Sequence, residues 1–280
     1  MFSTMVVLGD GSSGSLTLQL GDISGGINLV DVSGLDPVKA TLTSSNFALQ
    51  AGAVFQSARR EARNITIKMG VVPDPATQTV SSIKKKIYSV FREGTKILMK
   101  FYDDDPTPPV SDGYQIYGYV ETCTGPIFTQ DPEVNISVMC FDPNFFDSEA
   151  VTVTGLTTAD AAPTAIDYEG TTEAGLTLTL NVNRSLSEFQ VNQVDADGNS
   201  WTMDVVALFE VGDVVTITTM SGNRTASLLR AGVTTSIVYA VSPQATWLQL
   251  SPGSNTIQFV ATGAAIPASL SYKKLFGSVE

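Results

Sequence analysis

The chain has 280 residues, 43% of them hydrophobic, and 28 acidic against 16 basic side chains give a formal charge of −12. That length can bury a sizeable core and favours two domains, while the acid excess argues against a general nucleic-acid or anionic-membrane surface. Histidine is absent, which removes Ser-His-Asp and Cys-His arrangements, histidine-ligated zinc and iron, and the usual switch near neutral pH, while carboxylate-pair or lysine catalysis remains formally open.

The N-terminal Met1–Asp10 stretch lacks the basic n-region of a signal peptide. No apolar run approaches the roughly 20 residues that span a bilayer. Synthesis and retention in the cytosol are expected, without membrane insertion. Gly9-Asp-Gly-Ser-Ser-Gly14 has no following Lys-Ser or Lys-Thr, so it reads as a flexible arm or turn and not as a P-loop. Ser15–Leu20 alternates as a strand with Leu16, Leu18 and Leu20 on one face. Gly25-Gly26 marks a turn, Ile27–Val32 is a second strand, and Ala40–Ser44 begins another. In Arg63–Met69, Ile65, Ile67 and Met69 face one way and Asn64, Thr66 and Lys68 the other.

After the loop Pro73–Thr77 the period changes. Ile83, Ile87, Val90 and Phe91 form the stripe of an amphipathic helix capped by Ser81 or Ser82, with Gly94 as its left-handed stop. Lys84, Lys85 and Lys86 read as its wet side, with a phosphate-binding patch as the alternative. The strand Thr95–Tyr102 leads into the loop Asp103–Val110. Its carboxylates Asp103, Asp104 and Asp105, with Asp112, read as a solvated charge run, or else as a calcium-type cluster. Two strands, Tyr114–Cys123 and Val134–Phe141, end in Cys123 and Cys140. These read as buried, reduced thiols; a bridge would need Cα atoms within about 7 Å.

Phe141–Ser148, with Pro143 holding Asp142 extended, is the expected junction between domains 1–148 and 149–280. The first is predicted to be an α+β sandwich with one helix and no Rossmann alternation. The second reads as all-β, with candidate strands at Val151–Thr154, Leu176–Val182, Glu188–Val194, Trp201–Val205, Val214–Thr219, Arg224–Leu229, Ile237–Val241, Trp247–Leu250, Thr256–Val260 and Ala268–Tyr272. Short strands at this spacing fit a two-sheet sandwich or jelly roll. Asp195-Ala-Asp197-Gly198-Asn199 resembles the opening of a calcium loop. Ser200 and Val206 stand where that loop needs Gly and Glu, so a hairpin turn through Asp197-Gly198 is predicted, both residues tolerating positive φ. Trp201 shares a strand face with Met203 and Val205 and is assigned to the core; Trp247 is left open between exposure and cover. The sequons at Asn64, Asn135, Asn183 and Asn223 carry little weight without a secretory signal.

Several segments in order, Arg63-Asn-Ile-Thr-Ile67, the helix Ser82–Glu93, Tyr119-Val-Glu121, Cys140-Phe-Asp-Pro-Asn-Phe145, Val211-Gly-Asp-Val-Val-Thr-Ile217 and Leu250-Ser-Pro-Gly-Ser-Asn-Thr-Ile257, resemble the distal tail proteins of long, flexible-tailed bacteriophages (siphophages). The resemblance covers most of the chain. It implies a mainly β protein: an N-terminal tail-tube-like belt domain with one flanking helix, then a galectin-like sandwich. It further implies a virion protein assembled in the host cytoplasm, a hexameric ring at the end of the tail tube, and docking of tip, baseplate and receptor-binding proteins. No catalytic residue, cofactor or metal site carries over. On this reading the acid excess suits a channel whose wall repels passing DNA, with Asp103–Asp105 as lumen candidates. Ring closure by strand pairing would also remove open sheet edges in the first domain. The alternatives are a carbohydrate-binding β-sandwich adhesin using Trp247 and, behind it, a carboxylate-pair glycosidase.

Overall fold

The computed structural model describes residues 2–9, 14–46, 51–103, 112–126, 132–160 and 162–279. Strand dominates, and the chain divides into two compact units, Met1–Ser148 with Phe276–Glu280, and Glu149–Leu275.

The first unit contains β1 (Phe2–Leu8), β2 (Ser15–Gln19), β3 (Ile27–Ser33), β4 (Ala40–Ser45), β5 (Val54–Arg60), β6 (Arg63–Val71), α1 (Val80–Val90), β7 (Lys96–Asp103), β8 (Tyr114–Thr124), β9 (Glu133–Cys140) and the start of β10 (Phe145–Thr157). Seven strands pair antiparallel in the order β3-β6-β9-β8-β7-β1-β2. The outer two then meet at a parallel bridge between Leu20 and Leu29. The sheet therefore curls back on itself. Strict alternation fills its inside with Ile65, Ile67, Met69 and Val71 from β6 and Val134, Ile136, Val138 and Cys140 from β9. Each such side chain contributes about 1.5–3 kcal/mol by leaving water. The helix adds Ile83, Ile87 and Val90, followed by Phe91, which is the stripe its sequence spacing predicts.

The helix start differs from the expected serine cap. Thr79 Oγ1 accepts from Ser82 N at 3.1 Å and Ser82 Oγ accepts from Thr79 N at 3.1 Å, a reciprocal capping box one turn wide. Ser82 is thus the third helical residue, and Thr79 the cap. Gly94 does take a left-handed φ of 75°. It lies beyond the C-cap Phe91, in the turn closed by Thr95 N donating to Arg92 O at 3.1 Å.

The second unit contains β11 (Thr164–Tyr168), β12 (Ala174–Asn181), β13 (Leu186–Val194), β14 (Ser200–Phe209), β15 (Val214–Thr218), β16 (Thr225–Arg230), β17 (Val233–Ser236), β18 (Gln249–Leu250), β19 (Gly253–Val260) and β20 (Pro267–Phe276). One sheet runs β17-β16-β15-β12-β20-β10, with β18 also pairing β12, and the other runs β11-β19-β13-β14. Leu176, Leu178, Leu180, Val215, Ile217 and Leu270 of the first sheet share a core with Phe189, Val191, Met203, Val205, Ile257 and Phe259 of the second. This is a two-sheet sandwich. The expected strand at Ile237–Val241 is instead a short 3-10 turn, Val238–Ala240. Its backbone bonds are local, Ala240 N donating to Ile237 O at 2.8 Å and Val241 N to Val238 O at 3.1 Å.

Candidate assembly surfaces

The residues that most resembled ligand sites are occupied by partners from the chain itself. Asp195 Oδ1 accepts from Asp197 N (3.0 Å) and Asn199 N (2.8 Å), and Oδ2 from Asn199 Nδ2 (3.0 Å) and Trp201 Nε1 (3.0 Å). These donors, led by the Trp201 indole, hold the carboxyl below its usual 3.8. The segment is the β13–β14 hairpin turn, though only Gly198 has positive φ, at 86°. Asp112 pairs with Lys100 and accepts from Tyr102 Oη at 2.8 Å. Burial and that bond push the Tyr102 phenol up to about 12. Asp104 and Asp105, the other members of the expected carboxylate run, lie outside the described residues. Cys123 and Cys140 are buried free thiols, pushed up to about 12 chiefly by burial, and hence protonated and unreactive at neutral pH. Of the Gly9–Gly14 run, Gly9 N donates to Gly14 O at 3.0 Å, closing the β1–β2 turn.

Both tryptophans correct or complete the sequence reading. Trp201 is 39% exposed and not core; at the turn end of β14 its indole is drawn to Asp195 instead of inward. Trp247 is partly buried against the core, with the Arg224 guanidinium 5.9 Å from its ring centroid. Asn64, one of the sequon residues, accepts from Ser137 Oγ at 3.0 Å across β6 and β9.

Three polar side chains matter more than their sequence positions suggested. Arg63 is 1% exposed. It donates through Nε to Pro143 O (2.9 Å), through Nη1 to Gly34 O (2.5 Å) and Asp36 O (2.6 Å), and through Nη2 to Gly277 O (2.6 Å), and its guanidinium lies 4.5 Å from the Phe145 ring. Asp213, in the Val211-Gly-Asp213 motif, accepts from Glu210 N at 2.8 Å and takes both Nε (2.9 Å) and Nη2 (2.6 Å) of Arg230. Asn255, near the start of β19 and just after the β18–β19 turn, donates to Ser251 O (2.7 Å) and Gly253 O (2.9 Å) and accepts from Ser251 N (3.1 Å). Two of the segments that carried the family resemblance are thus turns locked by a buried side chain.

Arg230 holds the Asp213 carboxyl below its usual 3.8. A folded value below the unfolded one means stability is fully present above the unfolded value and is lost as pH falls through the folded one. Thermal unfolding followed by tryptophan fluorescence is therefore expected to be flat from pH 7 to about 5 and to fall to lower temperature below about pH 4. Asp213→Asn should remove part of that acid dependence. An unchanged acid slope in the variant would count against this account.

Exposed apolar groups concentrate in three places. The β4–β5 hairpin forms its own two-stranded sheet, and every described side chain of β5 is exposed, Phe55 at 62%. Leu42 and Val54 are exposed with it. On β8, Tyr117 stacks on Phe146 with centroids 5.3 Å apart, Lys96 Nζ stands 4.1 Å over the Tyr117 ring, and Tyr119 meets the exposed Phe141 at 5.7 Å. Arg60 Nη1 donates to Asn144 Oδ1 at 2.6 Å, so the hairpin base adjoins the turn that carries Phe141. In the second unit, Leu208 (79%) and Tyr239 (82%) stand out with Val206, Val211 and Val233, around an Arg230 that also donates to Leu208 O at 3.0 Å.

Residues 169–276 match the model of the siphovirus-type tail component, C-terminal domain. Comparison with curated proteins gave no match. Among solved structures, the chain is similar to SPP1 Dit (gp 19.1), described as a paradigm of the hub adsorption apparatus in phages infecting Gram-positive bacteria: 20% identity, TM-score 0.66, 97% of this chain and 99% of that one covered. The phage P2 baseplate in its activated conformation with Ca shows a weaker likeness, at 9% identity and TM-score 0.47 over 98% of each chain.

Proposed function

We propose, from the match of residues 169–276 to the model of the siphovirus-type tail component, C-terminal domain, that this protein is a distal tail protein of a siphophage: a structural, non-enzymatic component of the virion tail. The family match carries the reading, and a fold shared with SPP1 Dit over nearly the whole of both chains supports it. On this reading the first unit is the tube-like belt domain and the second a galectin-like docking sandwich. Six copies form a ring that ends the tail tube, leaves a channel for DNA, and seats the tip, baseplate and receptor-binding proteins.

The ring does not have to close the edges of the body sheet, because β2 and β3 already meet. The β4–β5 hairpin is the better candidate for the contact between neighbours. A two-stranded hairpin is marginal in water by itself, and this one exposes Leu42, Val54 and Phe55, so burial against the next copy would supply the missing apolar contact. The carbohydrate-binding alternative is weakened at Trp247, whose ring is half-buried against the core and faced by the Arg224 guanidinium.

Negative-stain imaging of the purified protein tests the proposal: closed rings are expected, and dispersed monomers at every concentration would overturn it. Phe55→Asp with Leu42→Asp, both exposed and so without cost to the fold, should convert rings to monomers. Rings that persist would remove the hairpin from the contact while leaving the ring itself standing.

A further inference from the structure

We propose that the segment Phe276–Val279 is a strap that fixes the root of the β4–β5 hairpin, so that the ring contact is set only after the chain has returned from the second unit. The inference rests on the ring reading above. β4 and β5 expose nearly every described side chain, and a hairpin without a packed face is marginal in water. Its direction is therefore decided where its two legs enter the body.

The first leg is Gly34–Lys39, between β3 and β4, and the second is Glu61–Arg63, between β5 and β6. Glu61 N joins them by donating to Lys39 O at 3.0 Å. The strap reaches both legs. Arg63 donates to Gly34 O and Asp36 O on the first leg and, through Nη2, to Gly277 O of the strap at 2.6 Å. Val279 N donates to Leu35 O at 3.2 Å. Gly34, at φ 90°, brings the first leg so close to β6 that a Cβ there would stand 2.1 Å from Asn64 O.

Apolar packing holds the strap in place. Phe276 is 2% exposed within the core of the first unit and meets the Tyr114 ring edge-on, with centroids 5.0 Å apart. Leu35 and Val279 pack against the same core. Chain order gives this arrangement its consequence. Residues 1–148 supply the curled sheet and the hairpin, 149–275 form the other unit, and the strap follows. Synthesis from the N-terminus therefore delivers the hairpin long before its fastening. Until the strap arrives, Leu35 O lacks its donor and Arg63 Nη2 lacks its acceptor. A chain whose second unit is unfinished carries a hairpin of unset direction, and the strap thereby keeps such chains out of the ring.

Hydrogen exchange and imaging of two variants test this. A chain stopped after Leu275 lacks the strap, whereas Val279→Pro keeps it but removes the N–H that Leu35 O accepts. At dilutions where the protein is monomeric, the Glu61 amide should exchange roughly tenfold faster than wild type in the stopped chain, and faster to a smaller degree in Val279→Pro. The Ile67 amide, in the middle of β6 with β3 and β9 on either side, should keep its protection in Val279→Pro. Closed rings should disappear from negative-stain images of the stopped chain. Glu61 exchange equal to wild type in both variants overturns the strap. So does equal acceleration at Glu61 and Ile67 in Val279→Pro, which would make the segment plain core filling. Faster Glu61 exchange with rings intact overturns the role in assembly. A wild type without rings at any concentration, with Glu61 still accelerated in the variants, removes the ring reading while the strap stands.

Discussion

Arg63→Met is expected to destabilise the first unit by about 3–5 kcal/mol, because four carbonyls lose the donor they share and each buried group left unsatisfied costs about 1–3 kcal/mol. Among the described residues the guanidinium's hydrogen-bond acceptors are main-chain carbonyls, and the Asp36 charge adds only a smaller favourable contribution. Its acceptors are the carbonyls of Gly34, Asp36, Pro143 and Gly277, drawn from three stretches far apart in the chain. Methionine fills a similar volume yet leaves these carbonyls without their donor, and an unsatisfied buried polar group costs about 1–3 kcal/mol. Arg63→Lys keeps the charge but presents its donors from a single point, so it cannot span the fork; an intermediate loss of about 2 kcal/mol is expected. Both tryptophans lie in the second unit. Far-UV circular dichroism should therefore show an early transition in Arg63→Met while the tryptophan transition stays where it is in the wild type. A methionine variant within about 1 kcal/mol of wild type would refute the role assigned to Arg63.

What the sequence makes legible is the inside of each unit, because burial imposes a period. β6 reads as a strand because Ile65, Ile67, Met69 and Val71 alternate into the core, and α1 reads as a helix because Ile83, Ile87, Val90 and Phe91 face it. Where no face is buried, the period vanishes: β5 and β17 have exposed side chains throughout, and neither announces itself. β1 escapes notice for a related reason, since its inward pair Met5 and Val7 is embedded in a uniformly apolar run. Trp201 shows the converse error. It does share a strand face with Met203 and Val205, but position along the strand decides burial as much as face does.

The polar residues divide in the same way. Asp195 is legible as a turn residue, because the donors that fill its carboxylate come from the next six residues. Arg63 is not, since Pro143 and Gly277 lie 80 and 214 residues away and nothing local signals carbonyls converging on one guanidinium. The helix lysines read as a wet face, and Lys85 and Lys86 are exposed, while Lys84 is half-buried and donates to Pro126 O.

Asn255→Ala should cost the second unit about 3 kcal/mol, from three backbone groups losing a buried partner at about 1 kcal/mol or more each. The side chain is fully buried and closes the turn on itself, its amide donating to Ser251 O and Gly253 O while its carbonyl accepts from Ser251 N. Gly253, at φ 100°, supplies the backbone conformation that lets the loop fold around that amide. Asn255→Asp is the sharper test, since it preserves the shape. The new oxygen would face two carbonyl oxygens where the amide donated, turning two hydrogen bonds into two repulsions inside a site that excludes water. Asn255→Asp is therefore expected to be at least as damaging at pH 7 as Asn255→Ala, and to recover partly as acid protonates the carboxyl. Chemical denaturation followed by tryptophan fluorescence reads the effect directly. If Asn255→Asp matched wild-type stability at pH 7, the amide would not be the lock on this turn, and the Leu250–Ile257 segment would owe its shape to Pro252 and Gly253 alone.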